Sequence, residues 1–370
     1  MGIIKKCHKA ISRQPAINNW LQNREKQRYI QSRNQRYPQF LWEAGPSSPQ
    51  ERVEAARMQV ESKLFIFGGY VTIGSVCHRV DLFDLETHCW QQVGALPDDA
   101  AQTHNGTAYD GRSHIYLISG QLGPNCSPAS TSCFAFNIRT YQWTKLPPLP
   151  EGRYMPLVHF HDGRIHCISG TMPDRFSPSD QHWSLSVVDG QSAETEWTRH
   201  APVPSPCTHA ASYLLNDEMF VFGGQIGDVP AIEGSSEYLC NFNSILNESF
   251  DEVYTYNLKT GAYKPLEPMP EKLSHSEHAI LKVGSNIIIA GGVRNRHHLS
   301  DIILKYDLLS NKWSEIGRLP YAMKSKIGAY WKERLYIVTG QRSRSETDLS
   351  PLEVLDTVWY ASFNPDSSTQ

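Results

Sequence analysis

The chain lacks most signatures of ready-made chemistry. Its 370 residues hold no Gly-x-Ser-x-Gly elbow, no P-loop and no Gly-x-Gly-x-x-Gly after a strand-like run. Eight cysteines are scattered without a single C-x-x-C, so neither a zinc ribbon nor a thioredoxin-type pair is suggested. No run of apolar residues reaches membrane-spanning length, and the N-terminal stretch has no apolar signal-peptide core. We therefore expect no membrane span and a cytoplasmic location. A formal charge of −3 argues against a polyanion binder, and no nucleic-acid partner is expected.

The charge is unevenly spread. Residues 1–37 carry nine Lys/Arg and one acid, Glu25, which leaves −11 for the remainder. Ile17, Trp20 and Leu21 share one face at i, i+3, i+4 after Pro15, predicting a short α-helix over about 16–34. Residues 1–36 are thus expected to form a basic N-terminal arm, and residues 364–370 a disordered tail. Cys89, Cys133 and Cys167 sit in or beside strand-like runs and read as small core residues. Cys126 and Cys133 could close one surface loop in an oxidising compartment.

What the chain does have is a repeat. Leu64-Phe65-Ile66-Phe67 ends in Gly68-Gly69, and small-Gly pairs return at Ser119-Gly120, Ser169-Gly170, Gly223-Gly224, Gly291-Gly292 and Thr339-Gly340. Each follows an apolar run preceded by a turn, which is a hairpin signal. A third run then ends in Asp or Asn, as in Phe83-Asp84, Phe136-Asn137, Tyr256-Asn257 and Tyr306-Asp307. A fourth carries Trp90, Trp143, Trp197, Tyr263 or Trp313 and leads to Leu-Pro or a near equivalent. Four antiparallel strands repeated about every 50 residues read as propeller blades, with the aromatic filling space between adjacent sheets. The sixth copy stops after three strands, near Val358-Trp359-Tyr360; Phe40-Leu41-Trp42 supplies the missing fourth. The expectation is an all-β, six-bladed propeller over 37–363, with 37–45 completing the last blade and leaving no open edge.

The double glycine, the aromatic-Asp and the Trp before Leu-Pro resemble the kelch motif, over nearly all of 37–363. Ser119-Gly120-Gln121-Leu122-Gly123-Pro124, His182-Trp183-Ser184 and Thr339-Gly340-Gln341-Arg342 look like a kelch subfamily known mainly from plants. Members of that subfamily often carry an N-terminal membrane anchor; here a basic helix stands in its place, so that location is not carried over. The resemblance implies a kelch-type propeller, and most kelch propellers bind other proteins. Some stand-alone ones do chemistry, such as sialic acid mutarotases and copper-dependent, galactose oxidase-like propellers.

In such a blade the loops joining strands 2 to 3, and strand 4 to the next strand 1, share one face. Ionisable residues gather at the strand-1 starts: Arg57, His104, Arg153-Tyr154, His209, His275, Glu277, His278 and Lys324. Gln121, Gln225 and Gln341 follow their small-Gly pairs. These are the candidate ligand-binding residues, converging on the axial channel to hold a polar or anionic small molecule. The structural alternative is that each hydrogen-bonds loops of neighbouring blades. The long loop from Gln225 to Phe250, with Asp228, Glu233, Glu237 and Glu248, is a candidate recognition element. We align His104 with His278 and place His275-Ser276-Glu277-His278 on an extended strand, where alternate side chains diverge; no metal or cofactor is assigned. Two functions stay open. One is a monomeric module binding a protein or ligand through the 2–3/4–1 face. The other is a non-redox, mutarotase- or isomerase-like enzyme acting on a sugar or carboxylate, with Glu277, His278 and Arg153 as candidate catalytic residues.

Overall fold

The computed structural model describes residues 40–126, 128–227, 248–294 and 298–364. The helix expected over 16–34, Asp228, Glu233, Glu237 and the tail from 365 lie outside these residues.

Six antiparallel sheets of the blade type follow one another along the chain, the first five built on four strands in sequence order. Blade 1 comprises Ala56–Val60, Lys63–Phe67, Arg79–Asp84 and Cys89–Ala95, and blade 2 Gly106–Tyr109, His114–Ile118, Cys133–Asn137 and Trp143–Leu146. Blade 3 comprises Leu157–His161, Arg164–Ile168, His182–Val188 and Thr198–Arg199, and blade 4 Ala211–Leu215, Glu218–Phe222, Val253–Asn257 and Tyr263–Pro265. Blade 5 comprises Ile280–Val283, Asn286–Val293, Leu299–Asp307 and Lys312–Arg318. Blade 6 takes Ile327–Trp331, Arg334–Ser343 and Pro351–Ser362 from the end of the chain and Glu43–Ala44 from its beginning. Among the described residues no helix is long and apolar enough to cross a membrane.

The continuous apolar second strands follow from this stacking. Successive side chains point to opposite faces, and each blade is covered on both. Leu64 and Ile66 enter a cluster with blade 6, while Phe65 and Phe67 enter one with blade 2. The strand-4 tryptophans tie each blade to the one before it. Trp90 Nε1 donates to Pro46 O, Trp143 to Ala95 O, Trp197 to Pro147 O and Trp313 to Glu267 O, all at 2.9–3.0 Å. Trp42 Nε1 makes the same bond to Arg318 O at 2.9 Å, so Trp42 fills that place in blade 6. Phe40 and Trp42 pack on the cluster between blades 5 and 6, and the paired strand itself is Glu43–Ala44, opposite Tyr360 and Trp359. The propeller is therefore closed by an N-terminal strand.

The other repeat signals also have local causes. Asp84, Asn137, Asn257 and Asp307 each accept two backbone N–H bonds from the turn after strand 3. The first residue of each small-Gly pair is left-handed, with φ between 50° at Thr339 and 61° at Gly223. Where it is Ser, the hydroxyl reaches the next blade: Ser169 Oγ accepts from Cys207 N–H at 2.8 Å, and Ser119 Oγ accepts from Arg153 N–H at 2.7 Å. Cys133 and Cys167 are buried as expected, whereas Cys89 is exposed on an outer strand. Cys126 and Cys133 do not pair as a disulfide.

Candidate functional site

At the entry to each first strand one residue takes a left-handed conformation: Glu54, His104, Met155, His209, His275 and Ser325, with φ from 44° to 57°. They occupy one repeat position. Each directly follows the residue that bridges the one after the small-Gly pair: Val53 to Tyr70, Thr103 to Gln121, Tyr154 to Thr171, Thr208 to Gln225, Ser274 to Val293 and Lys324 to Gln341. For a non-glycine residue this conformation costs roughly 1–2 kcal/mol. It is offset by hydrogen bonds around the axis. His104 N–H donates to Glu54 O (3.3 Å), Met155 to His104 O (2.9 Å), His275 to His209 O (3.1 Å) and Ser325 to His275 O (3.2 Å). His104, His209 and His275 are thus equivalent, which corrects the alignment of His104 with His278.

The ring's side chains close the axis. The His209 and His275 rings stack at 3.8 Å, and His104 meets His209 edge-on at 5.6 Å. Glu54 Oε1 accepts from Ser325 Oγ at 2.7 Å and from Lys324 Nζ at 3.2 Å. His209 Nδ1 pairs with Glu277 Oε1 at 3.0 Å. Burial alone would raise the Glu54 carboxyl, but Lys324, His104 and His209 hold it well below the usual carboxylate range. The Glu277 carboxyl is likewise held down against burial, chiefly by His209. Lys326, fully buried, is pushed down to about 7 by desolvation, with Glu277 and Glu54 opposing the shift. One oxygen each from Glu54 and Glu277 and one nitrogen of His209 lie within 4.8 Å of one another. The ammonium of Lys324 on Glu54 already supplies the cation such a group would seek.

Glu277 reaches the axis through an irregularity. From the bridging residue to the first paired residue of strand 1 is three positions in blade 1 (Val53 to Ala56) and in blade 4 (Thr208 to Ala211). In blade 5, Ile280 pairs with Ile289, which puts Ala279 at the place of Ala56, five positions after Ser274. The two extra residues are taken up by a 3-10 turn, Glu277–Ala279, the only helical turn among the described residues. The extended strand expected here is therefore wrong. The turn swings Glu277 against His209 and turns His278 into the channel wall.

Beyond the ring, along the first strands towards the 1–2 turns, lies a cavity of about 320 Å³. Its polar lining includes Arg57, Asn105, His159, Tyr213, Glu277 and His278. Arg57 acts as a strut across the axis, donating to Ile280 O at 2.7 Å and His278 O at 3.2 Å. Burial pushes His278 and His159 down to about 4, so both imidazoles are neutral at physiological pH.

Of the expected site residues, His104, His209, His275, Glu277 and Lys324 converge at the axis, and Arg57 with His278 lines the cavity. Arg153 does not join them: it is buried against Gly152 O (2.8 Å) and Gln181 Oε1. Tyr154 lies under the Arg175 guanidinium at 4.5 Å. Gln121, Gln225 and Gln341 serve the loops, bonding Gly123 O, Gly227 O and Leu352 O. In these contacts the three glutamines and Arg153 hydrogen-bond within their own blades. Glu54, Ser325, Lys326, His159 and Tyr213 were missed. Glu54 and Ser325 were readable in principle, since they stand at the repeat position of His209. Lys326, His159 and Tyr213 had no such signal.

These features define a closed six-bladed propeller whose axis is plugged at one end and hollow at the other. A model of the KLHDC2/KLHL20/DRC7 Kelch-repeats domain matches residues 29–224. The chain is 33% identical over 329 residues to Kelch repeat-containing protein At3g27220 of Arabidopsis thaliana, covering 87% of this chain and 76% of that protein. It is 23% identical over 304 residues to Kelch-like protein terF of Aspergillus terreus, covering 78% of this chain and 61% of that one. Among solved structures, that of YjhT superposes with a TM-score of 0.64 at 14% identity, over 87% of this chain and 98% of that one, a likeness of fold alone. The chain belongs to the kelch-repeat family.

Proposed function

We propose that this propeller is a protein-interaction module that docks its partner on the face bearing the 2–3 and 4–1 loops. One observation carries the reading. On that face the axis is closed by paired side chains, while three successive 2–3 loops hold exposed apolar residues: Leu122 (40% exposed), Phe176 (46%) and Ile226 (39%). The loops touch one another. Arg175 Nη1 donates to Gln121 Oε1 at 3.0 Å, and Gly227 packs on the Phe176 backbone so closely that a Cβ there would come within 2.6 Å of Phe176 O. Clustered apolar exposure on a rigid rim is characteristic of protein recognition. The family's usual role points the same way. Photo-crosslinkers placed at 122, 176 and 226 should trap one protein, and the same groups at Glu61, Arg112 and Lys259 on the opposite face should not. Equal trapping from both faces would refute the reading.

A second reading rests on the cavity, whose volume is at the lower bound for small-molecule sites. Glu277 lines the cavity, its side chain is 11% exposed and its buried Oε2 has no hydrogen-bond partner, which supports it as the acceptor for a ligand. His278 would be the neighbouring base, and Arg153, buried elsewhere, is not part of this reading. A Glu277→Gln/His278→Ala chain that kept full turnover on a substrate of the wild type would remove it.

A further inference from the structure

The face of blade 3 turned towards blade 4 departs from the repeat's own pattern. Three residues before the small-Gly pair stand Phe65, Tyr116, Phe220, Ile288 and Tyr336 in the other blades; blade 3 has His166. Opposite the residue just before the pair stand Val80, Cys133, Val253, Ile303 and Val358; blade 3 has His182. At the end of the fourth strand, where Leu146 pairs with Cys133 and Leu266 N–H donates to Val253 O, His200 N–H donates to His182 O. Three positions that hold aromatic, aliphatic, cysteine or glycine residues in other blades are therefore imidazoles here, on one face of the blade.

The imidazoles converge. His166 Nδ1 and His182 Nε2 are 2.9 Å apart, the His182 and His200 rings stack at 4.3 Å, and one ring nitrogen from each of the three lies within 4.8 Å of the others. Hydroxyl contacts orient two of the three rings. His182 Nδ1 faces Tyr256 OH of blade 4 at 3.2 Å, which leaves Nε2 turned inwards, and His200 Nε2 meets Ser184 Oγ at 2.7 Å. The nearby Arg164 is held by Glu194 at 2.9 Å, so its charge is balanced. His166 and His182 are buried and His200 is partly exposed, which gives an open side for entry and a fourth ligand.

We propose that His166, His182 and His200 form a binding site for one divalent transition-metal ion of the zinc class. Zinc–imidazole bonds of 2.0–2.1 Å set neighbouring nitrogens about 3.3 Å apart, within small side-chain rotations of the present spacing. No carboxylate belongs to the triad, so it suits ions that favour imidazole over ones that require oxygen. The axial Glu54, His209 and Glu277 group, by contrast, already carries its ammonium partner.

The test is calorimetric titration of the untagged, chelator-treated full chain with Zn²⁺, repeated with Co²⁺ under visible absorption. One equivalent of Zn²⁺ should bind, Co²⁺ should give the d–d bands of a four- or five-coordinate nitrogen site, and Zn²⁺ should raise the melting temperature. His166→Phe and His182→Val, residues other blades carry at these positions, should each weaken binding at least tenfold, while His298→Ala should not. If either variant misfolds, His200→Gln at the partly exposed ligand provides the same readout. No saturable binding, or an affinity within twofold of wild type in these triad variants, would overturn the proposal.

Discussion

Two buried polar clusters, one on the axis and one between blades 3 and 4, handle the same problem in opposite ways. At the axis, residues from several blades meet, and the two carboxylates stay charged because each has a partner. Glu54 is held by Lys324, Glu277 by His209, and their carboxyls are depressed despite burial. Between blades 3 and 4 the imidazoles have no carboxylate among them, and desolvation leaves them neutral. Burial alone thus says little about protonation; the partner decides. The axial cluster is coupled to ring closure, whereas the triad replaces an apolar contact that the other blades make with ordinary side chains.

The largest test of this contrast removes the closure on which the axis depends. Deleting residues 1–45 takes away the Glu43–Ala44 pairing and the Phe40 and Trp42 packing. Thermal unfolding should broaden and lose cooperativity, and an unchanged transition would show that the axial ring does not need the closing strand. Next comes Glu54→Ala, which removes the carboxylate held by buried Lys324 and Ser325; breaking such a pair costs about 3–5 kcal/mol. Urea unfolding should show a loss of that order.

A pH titration separates the axial bases. The amine of Lys326 falls from an ordinary 10.5 to about 7 in the folded chain. Between those values the unfolded chain holds a proton that the folded chain does not, so stability should rise as pH climbs from 7 towards 10.5. Lys326→Met should flatten that slope in urea unfolding followed from pH 7 to 10, and an undiminished slope would assign it to another group. The smallest effect is expected at the triad. In metal-free protein His182→Val should shift unfolding free energy by less than about 1.5 kcal/mol, since a residue of similar size fills this place in other blades. A loss comparable to Glu54→Ala would mean that the two clusters are energetically alike.

The blades were legible because their signals are local. A small-Gly pair, an Asp or Asn after strand 3 and a Trp on strand 4 each act within a few residues or on the adjacent blade. Trp42 was assigned to the last blade because its partner position was empty there. The site was legible only in part. His104, His209 and His275 were picked out as ionisable strand-1 starts, but the same rule picked out Arg153, which turns towards Gln181. Glu277 and His278 were named for their chemistry, yet their register was misjudged because a two-residue insertion looks like ordinary strand.

By itself, then, the sequence determined the repeat, the number of blades and the strand that closes them, since each follows from periodicity along the chain. Tertiary structure alone decided which ionisable groups meet. His104 and His209 belong to blades 2 and 4 and meet at the axis, and His166, His182 and His200 are brought together from separate stretches of blade 3. Such convergence depends on the direction of each side chain, and a single residue of register reverses that direction in a strand.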